Sequence, residues 1–403
     1  MYEDQSLLLL TDWGVESLSP SVDKVMPIGY DSLELALLAP RLLSGCPSSP
    51  ARVLDLCCGS GVQSLVAAAT YRLPEAGTSK DCGISPPESS GSKASKASKV
   101  SRRGSSPEVA VWAVDINDRA VHTTCFNGIL NGFSARILDV TPVDDLTALV
   151  WDITVLLGDC YDPFIDSTFT STGTTSGAAS LFHVVLANPP FVAVPPAPDF
   201  PPGEVGIEEP HVLFADGGPD GTRVLARIVS GAGAILRPGG RLVCVTEMPN
   251  VNKADQWLGC RLPPNAVGAV AFVREDVQPR ARYAAHRALD RTQFGSESRI
   301  TAACETESGC TLLGALAKRW IQCLDTHGVE DMVSSCLICV EFTAIAGSTG
   351  EGASATVSIE ALSCTDNGSS SPTCAAPAPG SRLLSSELAG HVTSVFDALV
   401  TRR

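Results

Sequence analysis

The chain predicts an α/β fold, a mostly parallel sheet with helices on both faces, and three observations predict it. Short apolar runs rich in Val, Leu and Ala recur, of the kind that make strands buried on both sides. Stretches of helical length alternate with them. The third observation is local. The run Val53-Leu54-Asp55-Leu56 ends in the small-residue turn Cys57-Cys58-Gly59-Ser60-Gly61, a helix-like stretch follows over 62–71, and the next run, 109–114, ends in Asp115. Strand, glycine turn, helix and acid-tipped strand describe a βαβ unit of the dinucleotide-binding type, with the acid placed to accept hydrogen bonds from ribose hydroxyls.

Taken in order, residues 1–24 show no clear period, and 25–30 lead into a capped helix over 31–38. Residues 1–50 are read as a separate N-terminal segment. After the first helix, 73–108 is rich in Ser, Gly, Pro and Lys and cannot bury enough apolar area to order itself. It is read as a disordered insertion, and its basic part, 93–103, as solvated linker. A strand is expected over 134–140, a helix over 143–150 and a strand over 155–159 with Asp159 at its tip. A second Ser/Thr/Gly-rich insertion spans 165–180. The run 181–187 is a buried strand. The Pro-rich loop 195–210 beyond it has the length of a functional loop. A helix over 221–236, a turn over 237–240, strands over 241–246 and 267–274, a helix over 312–327 with Trp320 on its apolar face, and a strand over 336–344 complete one domain, 51–345. Residues 346–381 are read as a low-complexity linker, and 382–403 as an amphipathic C-terminal helix.

The most informative tetrapeptide is Asn188-Pro189-Pro190-Phe191, at the end of the strand 181–187. An Asn held by two prolines has few backbone choices. Its side-chain oxygen can accept from a planar NH2 group, and Phe191 can stack on that plane. An amide or aromatic amine is a poor nucleophile because its lone pair is delocalised. Acceptors aimed at its N–H bonds localise the pair as a new bond forms. The Asn188 oxygen and the Pro189 carbonyl are the candidates, acting by orientation rather than proton removal. Alone, Asn-Pro is also a common turn pair. Asp55, Gly59, Gly61 and Asp115 upstream favour the catalytic reading.

These residues carry a resemblance. Asp55 to Gly61 resembles the first motif of the class I S-adenosylmethionine-dependent methyltransferases, and Asp115-Ile116-Asn117-Asp118-Arg119-Ala120 resembles their second. Asn188 to Phe191 is similar to the catalytic motif of the N-methylating branch, which includes the release-factor glutamine N5-methyltransferases (the HemK family), adenine-N6 enzymes and rRNA guanine-N2 enzymes. Cys125-Phe126-Asn127-Gly128-Ile129-Leu130-Asn131-Gly132 is similar to a helix end of the small-domain group. Phe214-Ala215-Asp216-Gly217-Gly218-Pro219-Asp220-Gly221 is similar to the segment after the catalytic loop in the glutamine enzymes.

The resemblance implies a Rossmann-like, mostly parallel seven-stranded sheet with S-adenosylmethionine at the strand carboxyl ends. It implies that Asp55, Cys57, Gly59, Gly61, Asp115, Ile116, Asp159, Cys160 and Asn188 hold the cofactor, with Asp139 competing for the role of Asp159. Asn188, Pro189, Pro190 and Phe191 would act on the acceptor, Tyr30, Phe191, Asp216 and Gly217 would meet the substrate, and residues 1–50 would form a lid segment over substrate and cofactor. Two departures stand out. The family usually has Gly where Cys57 stands, which Cys can replace if φ there is negative. His183 stands where the family commonly has Asp, and the sequence offers no reason.

The implied activity is N-methylation of a glutamine side-chain amide in a translation factor or ribosomal protein. The alternatives are adenine or guanine in RNA or DNA and, from another class, a non-catalytic cofactor-binding scaffold. A net charge of −15, with 44 acidic against 29 basic residues, opposes a broad phosphate-tracking surface and favours a protein substrate. The 15 cysteines are odd in number and irregularly spaced, so they are read as free thiols in a reducing interior. Met1-Tyr2-Glu3-Asp4 is acidic where a signal peptide would be basic. No apolar run has the length of a membrane span. An intracellular location, the cytoplasm or an organelle, is expected. Cys336 and Cys339 have metal-like spacing but sit in a strand, where residues three apart face opposite sides, so no metal is expected.

Overall fold

The structure is a computed structural model that describes residues 7–11, 24–43, 46, 50–70, 109–138, 151–164, 182–195, 215–264, 266–292, 307–342 and 356–362. The insertions 73–108 and 165–180, the helix expected over 143–150, the Pro-rich loop beyond 195 and the segment 382–403 lie outside the described residues.

Among the described residues one sheet of ten strands forms the centre. Its strands are β1 (Ala51–Leu56), β2 (Val109–Asp115), β3 (Ala135–Leu138), β4 (Ile153–Leu157), β5 (Phe182–Ala187), β6 (Leu236–Pro249), β7 (Ala266–Val273), β8 (Val277–Pro279), β9 (Asp331–Phe342) and β10 (Thr356–Leu362). The order is β10-β7-β9-β6-β5-β1-β2-β4-β3, with β8 paired to β9. The pairs from β3 through β6 are parallel, as is β10 with β7, and β9 alone runs antiparallel to its neighbours. This is a Rossmann-like open sheet.

Ten strands replace the seven expected. β3, which falls within the strand expected over 134–140, and β10 form the two edges, and β8 lengthens the ladder on β9. β10 also corrects the reading of 346–381 as linker throughout. Val357 and Ile359 alternate with polar neighbours and pack on the core, and β7 offers them an open edge. The expected turn at 237–240 lies inside β6, where Gly239 takes φ +76°.

Helices cover both faces. α1 (Tyr30–Leu43), α2 (Val62–Thr70) and α3 (Asp118–Leu130) pack on one side, where Leu35, Leu65 and Val121 meet Val53, Val111 and Val184. α4 (Arg223–Ile235) and α5 (Ala254–Gly259) pack on the other, where Ile228 and Leu258 join the core of Leu54, Trp112 and Val185. Adjacent strand residues fall in opposite cores, as pleating requires. Cys336 and Cys339 divide in the same way. A third cluster forms where α6 (Arg280–Thr292) and α7 (Glu307–Thr326) meet Ala193.

Candidate active site

β1, β2, β4 and β5 are parallel, so their carboxyl ends share one edge. From β1 the chain passes to β2 on one side and later to β5 on the other. The crevice outside such a reversal is where open α/β sheets bind ligands. A cavity of about 330 Å³ lies there, walled by the turn after β1, Asp115, Ile116, 158–160, Asn188, Pro190 and Asp216.

The turn after β1 is fixed from below by Asp55. Its Oδ2 accepts from the Ser64 backbone N–H (3.1 Å) and hydroxyl (2.6 Å), which ties the strand end to the start of α2. Burial pushes this carboxyl up to about 7, against the pull of the Ser64 bonds, and nearby Asp115 adds to the rise. Asp115 fixes the turn from the side. Its Oδ2 accepts from Gly59 N–H and its Oδ1 from Asn117 N–H, each at 2.9 Å. Burial raises its pKa too, opposed by those amides.

Gly59 has φ +54°, and a Cβ there would meet nothing within 4 Å, so the open side of the turn is cavity. Gly61 has φ +80° and presses on α3, where a Cβ would lie 2.7 Å from Thr124 Cγ2. Cys57 corrects an expectation: its φ is +58°, not negative. The turn geometry selects the left-handed region whatever residue stands there, and an L-residue held in it carries about 1–2 kcal/mol of strain. Cys160 shares the conformation, at φ +52°. Both thiols line the cavity, and burial raises their pKa values, that of Cys160 to about 12, so they are neutral wall groups rather than nucleophiles.

Asp159 lines the cavity beyond the tip of β4, with its carboxylate bound to Arg227, which also reaches Asp162 at 2.6 Å. Asp139 lies outside the described residues.

Across the cavity, the Asn188 Nδ2 donates to Asp31 Oδ2 and to Ser32 Oγ, both at 3.0 Å. Its Oδ1 is buried and has no hydrogen-bond partner among the described residues. Pro190 lines the cavity, Pro189 is buried, and Phe191 is not part of the wall. The following backbone is held by the 215–221 segment. Val192 N–H donates to the Ala215 carbonyl (3.0 Å), Gly217 N–H to that of Val192 (2.9 Å) and Val194 N–H to that of Gly218 (2.8 Å). A Cβ on Gly217 would lie 2.7 Å from the Phe191 carbonyl carbon, so only glycine allows this approach. Asp216 lines the cavity and pairs with Arg223 at 3.2 Å. Tyr30 opens α1, but its side chain is outside the described part.

Sequence reasoning missed a second support. Ala193 N–H donates to Tyr283 Oη (3.3 Å), and Trp320 Nε1 donates to the Ala193 carbonyl (2.8 Å). The Tyr283 hydroxyl donates in turn to buried Glu247 (2.6 Å), which also pairs with Arg287. Burial and the Glu247 carboxylate push the phenol pKa up. Trp320 gave one signal, a buried indole N–H that needs an acceptor. Tyr283 and Glu247 gave none.

The structure supplies roles for other singled-out residues. Asn127 brackets residue 10, accepting from its N–H and donating to its carbonyl, each at 2.8 Å, and also donates to the Ser60 carbonyl at 2.8 Å. Asn131 brackets Leu8 in the same way. His183 is buried in β5. Its Nδ1 accepts from Arg52 N–H (2.9 Å), and burial, with Arg237 and Arg52 nearby, pushes its pKa down to about 4. It is a neutral core group.

No family model matches the chain. A release factor glutamine methyltransferase from Cereibacter sphaeroides is 32% identical over 101 residues, 20% of this chain and 36% of that protein's length. The chain thus matches about a third of that curated relative. Among solved structures, a ribosomal protein L11 methylase from Lactobacillus delbrueckii subsp. bulgaricus aligns over 61% of this chain and 68% of its own, at 14% identity and a TM-score of 0.28. A SAM-dependent methyltransferase from Agrobacterium tumefaciens aligns over 80% and 64%, at 14% identity and a TM-score of 0.34. The fold is fixed by the strand order above, not by these overall scores. Among the described residues no helix is long and apolar enough to cross a membrane, and no group of three or more His, Cys, Asp or Glu is placed to hold a metal ion.

Proposed function

We propose that the cavity binds S-adenosylmethionine and that the chain is an N-methyltransferase whose acceptor is the side-chain amide of a protein glutamine. The observation that carries this reading is the buried, partnerless Asn188 Oδ1 at the end of β5. It is an acceptor without a hydrogen-bond partner among the described residues, on a side chain that lines the cavity.

The residues present fit the cofactor. The open side of Gly59 lets a ligand approach the backbone, and Asp115, held by the amides of Gly59, Asn117 and Ile116, is the acceptor for ribose hydroxyls. Cys57, Cys160 and Ile116 wall the same space. When bound, the cofactor supplies the sulfonium-activated methyl and its own leaving group. Asn188 orients the acceptor amide by taking one of its N–H bonds, and so favours a lone pair aimed at the methyl. Asp216, which lines the same cavity, is the substrate contact in this reading.

Glutamine as acceptor is supported by the partial likeness to a release factor glutamine methyltransferase and by the net charge of −15. A translation factor or ribosomal protein is the substrate class proposed.

Incubation of a fractionated lysate with tritiated S-adenosylmethionine tests the reading. Label in protein, recovered as N5-methylglutamine on hydrolysis, is the expected result. Label in nucleic acid would move the acceptor to a base amine, which must first be flipped from any duplex. Cofactor binding without transfer would leave a scaffold.

A further inference from the structure

Asn188 depends on two residues that no motif comparison marks. We propose that Asp31 and Ser32, in the first turn of α1, are positioning residues that lock the Asn188 amide with its oxygen toward the acceptor. The inference rests on the N-methyltransferase reading and adds the device that sets its selectivity.

A carboxamide has two faces of opposite chemistry, one oxygen that accepts and one nitrogen that donates twice. Nothing in Asn188 itself chooses which one meets the cavity. Asp31 chooses. A carboxylate only accepts, so the group 3.0 Å from its Oδ2 must be the Asn188 nitrogen. Ser32 Oγ, buried and on the cavity wall, takes the second N–H at 3.0 Å. With both N–H bonds occupied, Oδ1 is the atom left over, and it is the one that is buried without a partner. Turned over, the amide would set oxygen against carboxylate and put its NH2 where the partnerless oxygen now lies. That arrangement suits a carbonyl or carboxylate and repels a primary amide N–H.

Two further features hold the lock in place. Asp31 stands in the first turn of α1, where the helix dipole favours a negative charge. A side chain on Gly29 would collide with Asp31 Oδ1, so glycine there keeps the carboxylate within reach of Asn188. The lock thus joins the segment before β1 to the loop after β5, 157 positions apart.

The test uses the full chain and the variants Asp31→Ala, Asp31→Asn and Gly29→Ala. The Asn188 side-chain NH2 pair is assigned in an NMR spectrum by its loss in Asn188→Ala, and its solvent exchange is measured. Exchange should accelerate at least about tenfold in Asp31→Ala, as expected when one hydrogen bond to a charged group is lost. Gly29→Ala should move it the same way, while Asp31→Asn, which keeps an acceptor oxygen, should restore most of the protection. Turnover on the labelled lysate fraction should fall by about tenfold to hundredfold in Asp31→Ala. Calorimetric binding of S-adenosylhomocysteine should stay within about twofold, which also reports that the chain has folded. Unchanged exchange in Asp31→Ala would overturn the lock, and so would a turnover loss matched by an equal loss of S-adenosylhomocysteine binding. If wild-type chain transfers no methyl, the N-methyltransferase reading falls, while the exchange data still decide whether the lock exists.

Discussion

Two loops face each other across the cavity, and they draw their supports from different spans of the chain. The turn after β1 is fixed within one stretch of chain: Asp55 binds Ser64 nine positions on, Asp115 ends the neighbouring strand, and Thr124 and Asn127 reach it from α3 just beyond. The loop after β5 is fixed from afar. Asp31 and Ser32 reach it from before β1, Tyr283 and Trp320 from about ninety or more residues downstream, and 215–221 lies along its backbone. The first arrangement is closed within the β1-α2-β2-α3 stretch. The second is an assembly that exists only in the folded molecule.

The largest expected effect separates the two loops most sharply. Asn188→Ala should lower methyl transfer by about 10²- to 10³-fold, the usual loss for one preorganised polar group, with calorimetric cofactor binding retained. Loss of both together would mean that the acceptor loop also carries the cofactor.

The next effect belongs to the turn. Asp55 has its folded pKa raised from 3.8 to about 7. The native state therefore holds a proton that the unfolded chain gives up between these values. Stability from this group is full below about pH 4 and is lost as pH rises to about 7, a change on the order of 4 kcal/mol at most. Denaturation midpoints across that range should fall more steeply with pH in wild type than in Asp55→Asn. Equal slopes would show that Asp55 is ionised throughout.

A smaller loss is expected at the acceptor loop. Tyr283→Phe removes the hydroxyl between Ala193 N–H and Glu247 and should destabilise by about 1–3 kcal/mol in urea, because it leaves buried polar groups unpaired. The smallest effect returns to the turn. Cys57→Gly relieves a left-handed L-residue but gains chain entropy in the unfolded state, for a net stabilisation of about 0.5 kcal/mol. Cys57→Ala, which keeps the Cβ, should gain nothing.

The same contrast explains what the sequence made legible. β1, β2, β4 and β5 were readable because strands buried on both faces are written as unbroken apolar runs. The turn was readable because φ > 0 narrows the choice of residue, although Cys57 shows that the rule is a preference with a modest penalty. Asn188 was readable from its prolines. Its lock was not, because Asp31 reads equally well as a helix-start acid. α6 was hidden by its polar composition, and β10 by the Gly- and Ser-rich chain around it. Tyr283 and Glu247 meet only because β6 and α6 are brought together by the sheet and its antiparallel β9. His183 is the reverse case: a residue that looked anomalous at the site proves to be ordinary core.

Asn127 gives α3 a mechanical role. One side-chain amide grips the main chain at residue 10 and the carbonyl of Ser60 at the same time. Any pull that lifts the early strap from α3 must therefore loosen one of the fasteners beneath the glycine turn. Residues 7–11 are thereby joined to the turn that walls the cavity by one side chain, without passing through the sheet.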